Sequence, residues 1–108
     1  MKQSKLIVIY PVPSNLEDFE RRYAEEHIPM AIEKLVGKTK VVTSLITSNV
    51  NNAPAMYHRV AEIYFNSTAD LIVCLGSPGG QETAAHAIEI SSGGAPLFLM
   101  AEVEVIDF

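Results

Sequence analysis

The chain is poor in the residues that build covalent or metal-held scaffolds. Its one cysteine, Cys74, has no partner for a disulfide within the chain and none of the Cys/His spacing of a zinc site. The run around it, Leu71-Ile72-Val73-Cys74-Leu75, is apolar and sets no base or cation beside it, so the thiol reads as a small hydrophobe rather than a nucleophile. Positive charge is scarce as well. Eight Lys and Arg stand against 13 Asp and Glu, a net charge of −5, and no basic block concentrates them. Phosphate backbones and anionic membranes attract clustered cations, so charge argues against nucleic-acid and membrane partners. Long apolar runs are missing too. The stretch after Met1-Lys2-Gln3-Ser4-Lys5 stops at Pro11, shorter than most signal-peptide cores and far short of a bilayer span. A soluble cytoplasmic protein is expected. There is no triad signature, metal-ligand cluster or dinucleotide fingerprint.

What is present suits one small folded unit spanning residues 1–108. Apolar residues make up 48% of the chain, enough to fill a core. A domain of this size still leaves much of its surface uncovered, so pairing with a second copy would stabilise it.

Leu6-Ile7-Val8-Ile9-Tyr10 is β-branched and aromatic and ends at Pro11-Val12-Pro13, which predicts a buried strand. Ser14 and Glu17 have capping-box spacing and open a helix. Leu16, Phe19, Tyr23 and His27 follow at helical intervals and fall within about 80° of arc, one apolar face. Pro29 disfavours helix at Ile28, so this helix is expected to end or kink near His27. Met30 to Val36 then adds a turn or two before Gly37. Lys40 to Thr47 reads as a second strand, Asn49 to Pro54 as a hairpin loop, and Tyr57 to Phe65 as a third strand. In that third strand Val60, Glu62 and Tyr64 face one way, and Arg59, Ala61, Ile63 and Phe65 the other.

Ser67 with Asp70 starts a helical region that runs through Leu75. Ser77-Pro78 is an N-cap followed by proline at the first helical position, and this further helix runs to Glu89. Ser91 to Gly94 breaks the chain, and Ala95 to Phe108 makes a long last strand. The order βαββαβ folds by right-handed crossovers into an α+β, ferredoxin-like four-stranded antiparallel sheet with its helices on one face. The bare face needs covering, and sheet-to-sheet packing with a second copy would cover it.

Among residues that could carry chemistry, His27 stands out. It shares the apolar face with Phe19 and Tyr23 and lies before a proline-fixed turn. Burial lowers an imidazole pKa and a helix C-terminus raises it, so titration near neutrality and acid–base work on a small ligand are expected. The competing reading has its ring capping the last carbonyls of the helix. Tyr23, Tyr10 and Tyr64 are candidate walls of a ligand cleft, although strand alternation does not say which side Tyr10 and Tyr64 face. Arg59 is a candidate anion anchor, against the commoner role of an ion pair. Glu62, on the face opposite Arg59, needs a partner, for which His58 or a cation of a second subunit is suited. His86 is read as a surface residue paired with Glu82. Gly79-Gly80 is read as a flexible helix entrance.

Phe19-Glu20-Arg21-Arg22-Tyr23-Ala24-Glu25-Glu26-His27-Ile28-Pro29-Met30-Ala31 resembles the signature of the EthD family, an aromatic-rich helix running into His-x-Pro-Leu. Ile7 to Pro11, Val60 to Phe65 and Ser77-Pro78-Gly79-Gly80-Gln81 resemble further family stretches in the same order, and Met30 departs from the usual Leu. The resemblance implies a dimeric α+β barrel with no obligatory metal or organic cofactor. It also implies kinship with cofactor-independent enzymes acting on small apolar or aromatic molecules. The family's founding context is degradation of ethyl tert-butyl ether beside a cytochrome P450 system. Two functional readings follow. One is a cofactor-independent enzyme with His27 as acid or base. The other is a non-catalytic binding or accessory protein supporting an oxygenase or a degradation pathway.

Overall fold

A computed structural model describes residues 2–108. Strand β1 (Ser4–Pro11) buries Ser4, Leu6, Val8 and Tyr10 and leaves the residues between them half-covered, the two-residue period of a strand with helices on one side. It lies between β3 (Tyr57–Phe65) and β4 (Leu97–Glu102), and β2 (Lys38–Leu45) flanks β3. All neighbours are antiparallel, in the order β2-β3-β1-β4. The register pairs Leu6 with Ile63 and Val8 with Ala61, which gathers the central apolar residues on the helical face. The architecture is the expected α+β, ferredoxin-like one. The last strand is shorter than expected. β4 ends at Glu102, the register partner of Ser4 at the start of β1, although Val103 N–H still reaches the Gln3 carbonyl at 2.9 Å and Lys2 Nζ reaches Glu104 at 3.3 Å.

The first helix does not stop at His27. Helix α1 (Leu16–Arg22) passes through a π-helical turn, Tyr23–His27, into α2 (Ile28–Lys34). Ile28 N–H bonds the Tyr23 carbonyl, an i→i−5 bond, and this wider turn accommodates Pro29, which cannot donate within the helix. Phe19, Tyr23, His27 and Ala31 are all buried. Steps of four residues on a straight α-helix would drift about 120° over that stretch. The π-turn takes the drift back and keeps the four on one side. Asn15, rather than Ser14, caps α1, its Oδ1 accepting from Asp18 N–H at 3.0 Å, and the Ser14 N–H donates to Ser92 Oγ instead of to Glu17.

Ser67 caps α3 (Thr68–Gly76) and Ser77 caps α4 (Pro78–Ile90), as expected. The glycines entering α4 serve close packing rather than flexibility. A Cβ at Gly80 would run into the Cys74 carbonyl, and one at Gly79 into that of Lys34. Tyr10, Phe19, Phe65, Leu71 and Cys74 fill the core, and burial raises the Cys74 thiol pKa. The opposite sheet face carries no helix and presents Ile7, Ile9, Val42, Val60, Leu97 and Leu99. There Glu62 pairs with Lys5 on the neighbouring strand at 2.6 Å, not with His58. Among the described residues no helix is long and apolar enough to cross a membrane.

Candidate functional site

The π-turn aims His27 at the sheet, where its ring is 7% exposed. Its Nε2 lies 3.2 Å from the Tyr10 hydroxyl, and its Nδ1 lies 3.0 Å from Nδ1 of His86 on α4. The two imidazoles are within 8° of parallel with centroids 5.2 Å apart. That separation approaches the N···N distance plus two ring radii, so the rings meet edge to edge in one plane rather than face to face. The far nitrogen of His86 reaches Glu26 Oε1 at 3.1 Å, and Arg22 Nε donates to the same oxygen at 3.0 Å. Arg22 also pairs with Glu89.

With both rings neutral, the network allows one arrangement of protons. A carboxylate only accepts, so neutral His86 carries its proton on Nε2 and donates to Glu26. Its Nδ1 then accepts from Nδ1–H of His27, which leaves Nε2 of His27 to accept from the Tyr10 hydroxyl. Burial, and behind it the positive charge of His86 when protonated, pushes the His27 pKa down to about 4. The near-neutral titration expected from the sequence does not occur. His27 lies inside a continuing helix rather than at a C-terminus, so desolvation is not opposed. Burial likewise raises the Tyr10 pKa, and a hydrogen bond from His86 helps hold the Glu26 carboxyl below the usual range.

His27, Tyr10 and Tyr23 line a cavity of about 40 Å³ between the sheet and the helices, with apolar walls that include Leu6, Val8 and Phe98. Tyr23 packs nearly parallel to Phe19 and to His27, with centroids 5.6 and 5.9 Å away, and its hydroxyl bonds Thr43 Oγ1 at 2.7 Å. This space holds about three water-sized bodies. Among the described residues no cluster of three His, Cys, Asp or Glu side chains is placed to hold a metal ion.

The sequence profile of the EthD domain matches residues 14–90, from the start of the first helix to the end of α4. The chain belongs to the EthD family. The matched span carries His27 and His86 but not β1, which supplies Tyr10 to the candidate site. An uncharacterised 11.0 kDa protein from the thcB-thcC intergenic region of Rhodococcus erythropolis is 26% identical over 94% of this chain and 97% of its own length. The crystal structure of an EthD family protein from Bacillus halodurans superimposes with a TM-score of 0.87 at 18% identity, over 96% of this chain and all of that one. A hydroxynitrile lyase from Passiflora edulis has a TM-score of 0.73 at 14% identity, over 98% and 97% of the two chains. SnoaB, a cofactor-independent oxygenase from Streptomyces nogalater, has one of 0.60 at 13%, over 100% and 97%. A dimeric ferredoxin-like protein from Bacteroides fragilis has one of 0.66 at 13%, over 94% and 96%. At these identities the likeness is one of fold.

Two of the residues singled out from the sequence lie elsewhere in this EthD fold. Tyr64 does not line the cavity. It sits on the helix-free sheet face beneath Lys40, whose Nζ lies 4.2 Å from the ring centroid, because β3 turns Ala61, Ile63 and Phe65 to the helices instead. Arg59 faces the helical side but is engaged by both carboxylate oxygens of Glu20 at 3.1 and 2.7 Å, with His58 on the same carboxylate. Its charge is thus matched inside the chain, with its guanidinium 5.1 Å from the Tyr23 ring centroid. His86 is the residue the sequence reading missed. Glu82, its supposed partner, pairs with Lys34 instead. A signal was there. Thr83, Ala87 and Ile90 form the buried face of α4, and position 86 lies within about 60° of Thr83 and Ile90 on the helical wheel.

Proposed function

We propose that this EthD protein is a small-molecule enzyme that works without a cofactor, with His27 as its general base. The observation that carries this reading is a neutral, buried imidazole lining an apolar cavity, its Nε2 lone pair satisfied by one hydroxyl, that of Tyr10. A ligand carrying an acidic O–H, N–H or activated C–H replaces or recruits Tyr10 and delivers its proton to that nitrogen. Tyr23 shapes the wall beside it. The cavity admits a ligand of a few heavy atoms as it stands, and an aromatic ring requires the walls to widen. Likeness of fold to a hydroxynitrile lyase and to a cofactor-independent oxygenase supports an enzyme over a purely structural protein. The small cavity, with no buried side-chain polar atom unpartnered among the described residues, favours the second reading of a non-catalytic carrier that supports an oxygenase.

A panel of cyanohydrins, enolisable carbonyls and small phenols, assayed with wild type and His27→Ala, separates the two. Turnover lost in a folded variant that still binds supports the enzyme. Binding without turnover in wild type supports the carrier.

The protein is further proposed to act as one cytoplasmic domain in a homodimer, its helix-free sheet face packed on that of a second copy to close the barrel. The apolar residues of that face and the dimeric relative of like fold support this.

A further inference from the structure

We propose that His86 and Glu26 form a proton conduit that links the cavity to the surface through His27. The inference rests on the reading of His27 as a base for a cavity ligand, and it assigns the path by which the proton leaves. Three features carry it. The hydrogen bonds are continuous from Tyr10 to Glu26, at 3.2, 3.0 and 3.1 Å. Each ring is hydrogen-bonded at both of its nitrogens, so it can take a proton on one and pass the other on without rotating. The path ends at a carboxylate whose side chain is 39% exposed, beside Arg22.

The transfer balances. A proton arriving at Nε2 of His27 displaces the one on its Nδ1 to Nδ1 of His86, and His86 releases the one on Nε2 to Glu26. Each imidazole ends neutral as the opposite tautomer, the cavity group has lost one proton, and Glu26 has gained it. No full charge rests on the buried ring. Glu26, whose pKa its donors lower, then yields the proton to water. His86 and Glu26 are therefore positioning residues that act through His27 and do not touch the ligand.

The test needs no substrate, so it stands apart from any failure to find turnover. Solvent exchange of the fully buried Tyr10 hydroxyl is measured by NMR with carbon-labelled tyrosine in mixed H₂O and D₂O, Tyr10→Phe assigning the signal. Glu26→Gln keeps an oxygen for both donors but cannot take up a proton, and His86→Phe keeps a ring but breaks the path. Exchange is expected to slow by about an order of magnitude or more in both variants. A merely structural histidine predicts the reverse, since its loss loosens the packing. Unchanged or faster exchange in His86→Phe overturns the conduit, and slowing in His86→Phe alone overturns Glu26 as its outlet. A ¹⁵N–¹⁵N coupling between the two Nδ1 atoms is expected in wild type, and its absence overturns the direct link.

Discussion

Nδ1 of His27 and Nδ1 of His86 face each other at 3.0 Å, so only one of the two can hold a proton there. The first ring is carried by the widened turn of the first helix and the second by α4. Their tautomers are set together, from Glu26 at one end and Tyr10 at the other.

The Tyr10 hydroxyl is expected to matter for stability as much as for chemistry. Tyr10→Phe leaves Nε2 of His27 without a donor in an apolar cavity, a loss of about 1–3 kcal/mol. His27→Leu combined with Tyr10→Phe removes both halves of the bond and is expected to cost less than the sum of the single changes. A double-mutant cycle by urea denaturation measures the difference.

Acid is expected to destabilise the fold earlier than its carboxylates require. His27 titrates near pH 4 when folded and near its ordinary 6.5 when unfolded. The unfolded chain therefore binds more protons between those values, and stability falls as pH drops through that window. The contribution is complete above the unfolded value and amounts to about 3 kcal/mol, lost by about pH 4. Urea titrations at pH 7 and pH 4 check it. In His27→Leu the part of the pH dependence above the carboxylate range is expected to disappear.

Gly80→Ala is expected to lower stability by about 1–3 kcal/mol, because its methyl meets the Cys74 carbonyl and pushes α4 off α3. Gly76→Ala, at the end of α3 with open space around it, is the control and is expected to be neutral or slightly stabilising. Thermal melts of the two distinguish packing from a general intolerance of alanine.

Leu99→Lys places a charge in the middle of the helix-free sheet face, opposite Ile7. Light scattering is expected to give twice the 11.8 kDa chain mass for wild type and the single mass for the variant, with unchanged circular dichroism. A single mass for wild type at micromolar concentration counts against the barrel.

The fold was legible because its signals are local. The β-branched runs give β1 and β3, and Ser67 and Ser77-Pro78 mark the starts of α3 and α4. What escaped depends on contacts between elements. Proline after His27 reads as a stop, because the absorbing π-turn is favoured only when four inward residues need one side. The alternation of β3 separates Tyr64 from Arg59, yet the choice of buried face belongs to the helices. The length of β4 is set by where β1 begins. His27 was visible from its helical spacing, whereas His86 looked ordinary because Glu82 offered a partner four residues away.

The site draws one member each from the sheet, the first helix and the last helix. A chain with its helices formed but not yet docked would show His27 titrating like a histidine of a short peptide. Loss of the depressed His27 titration is thus an internal gauge of tertiary docking, readable at a single resonance while the backbone signal still looks native.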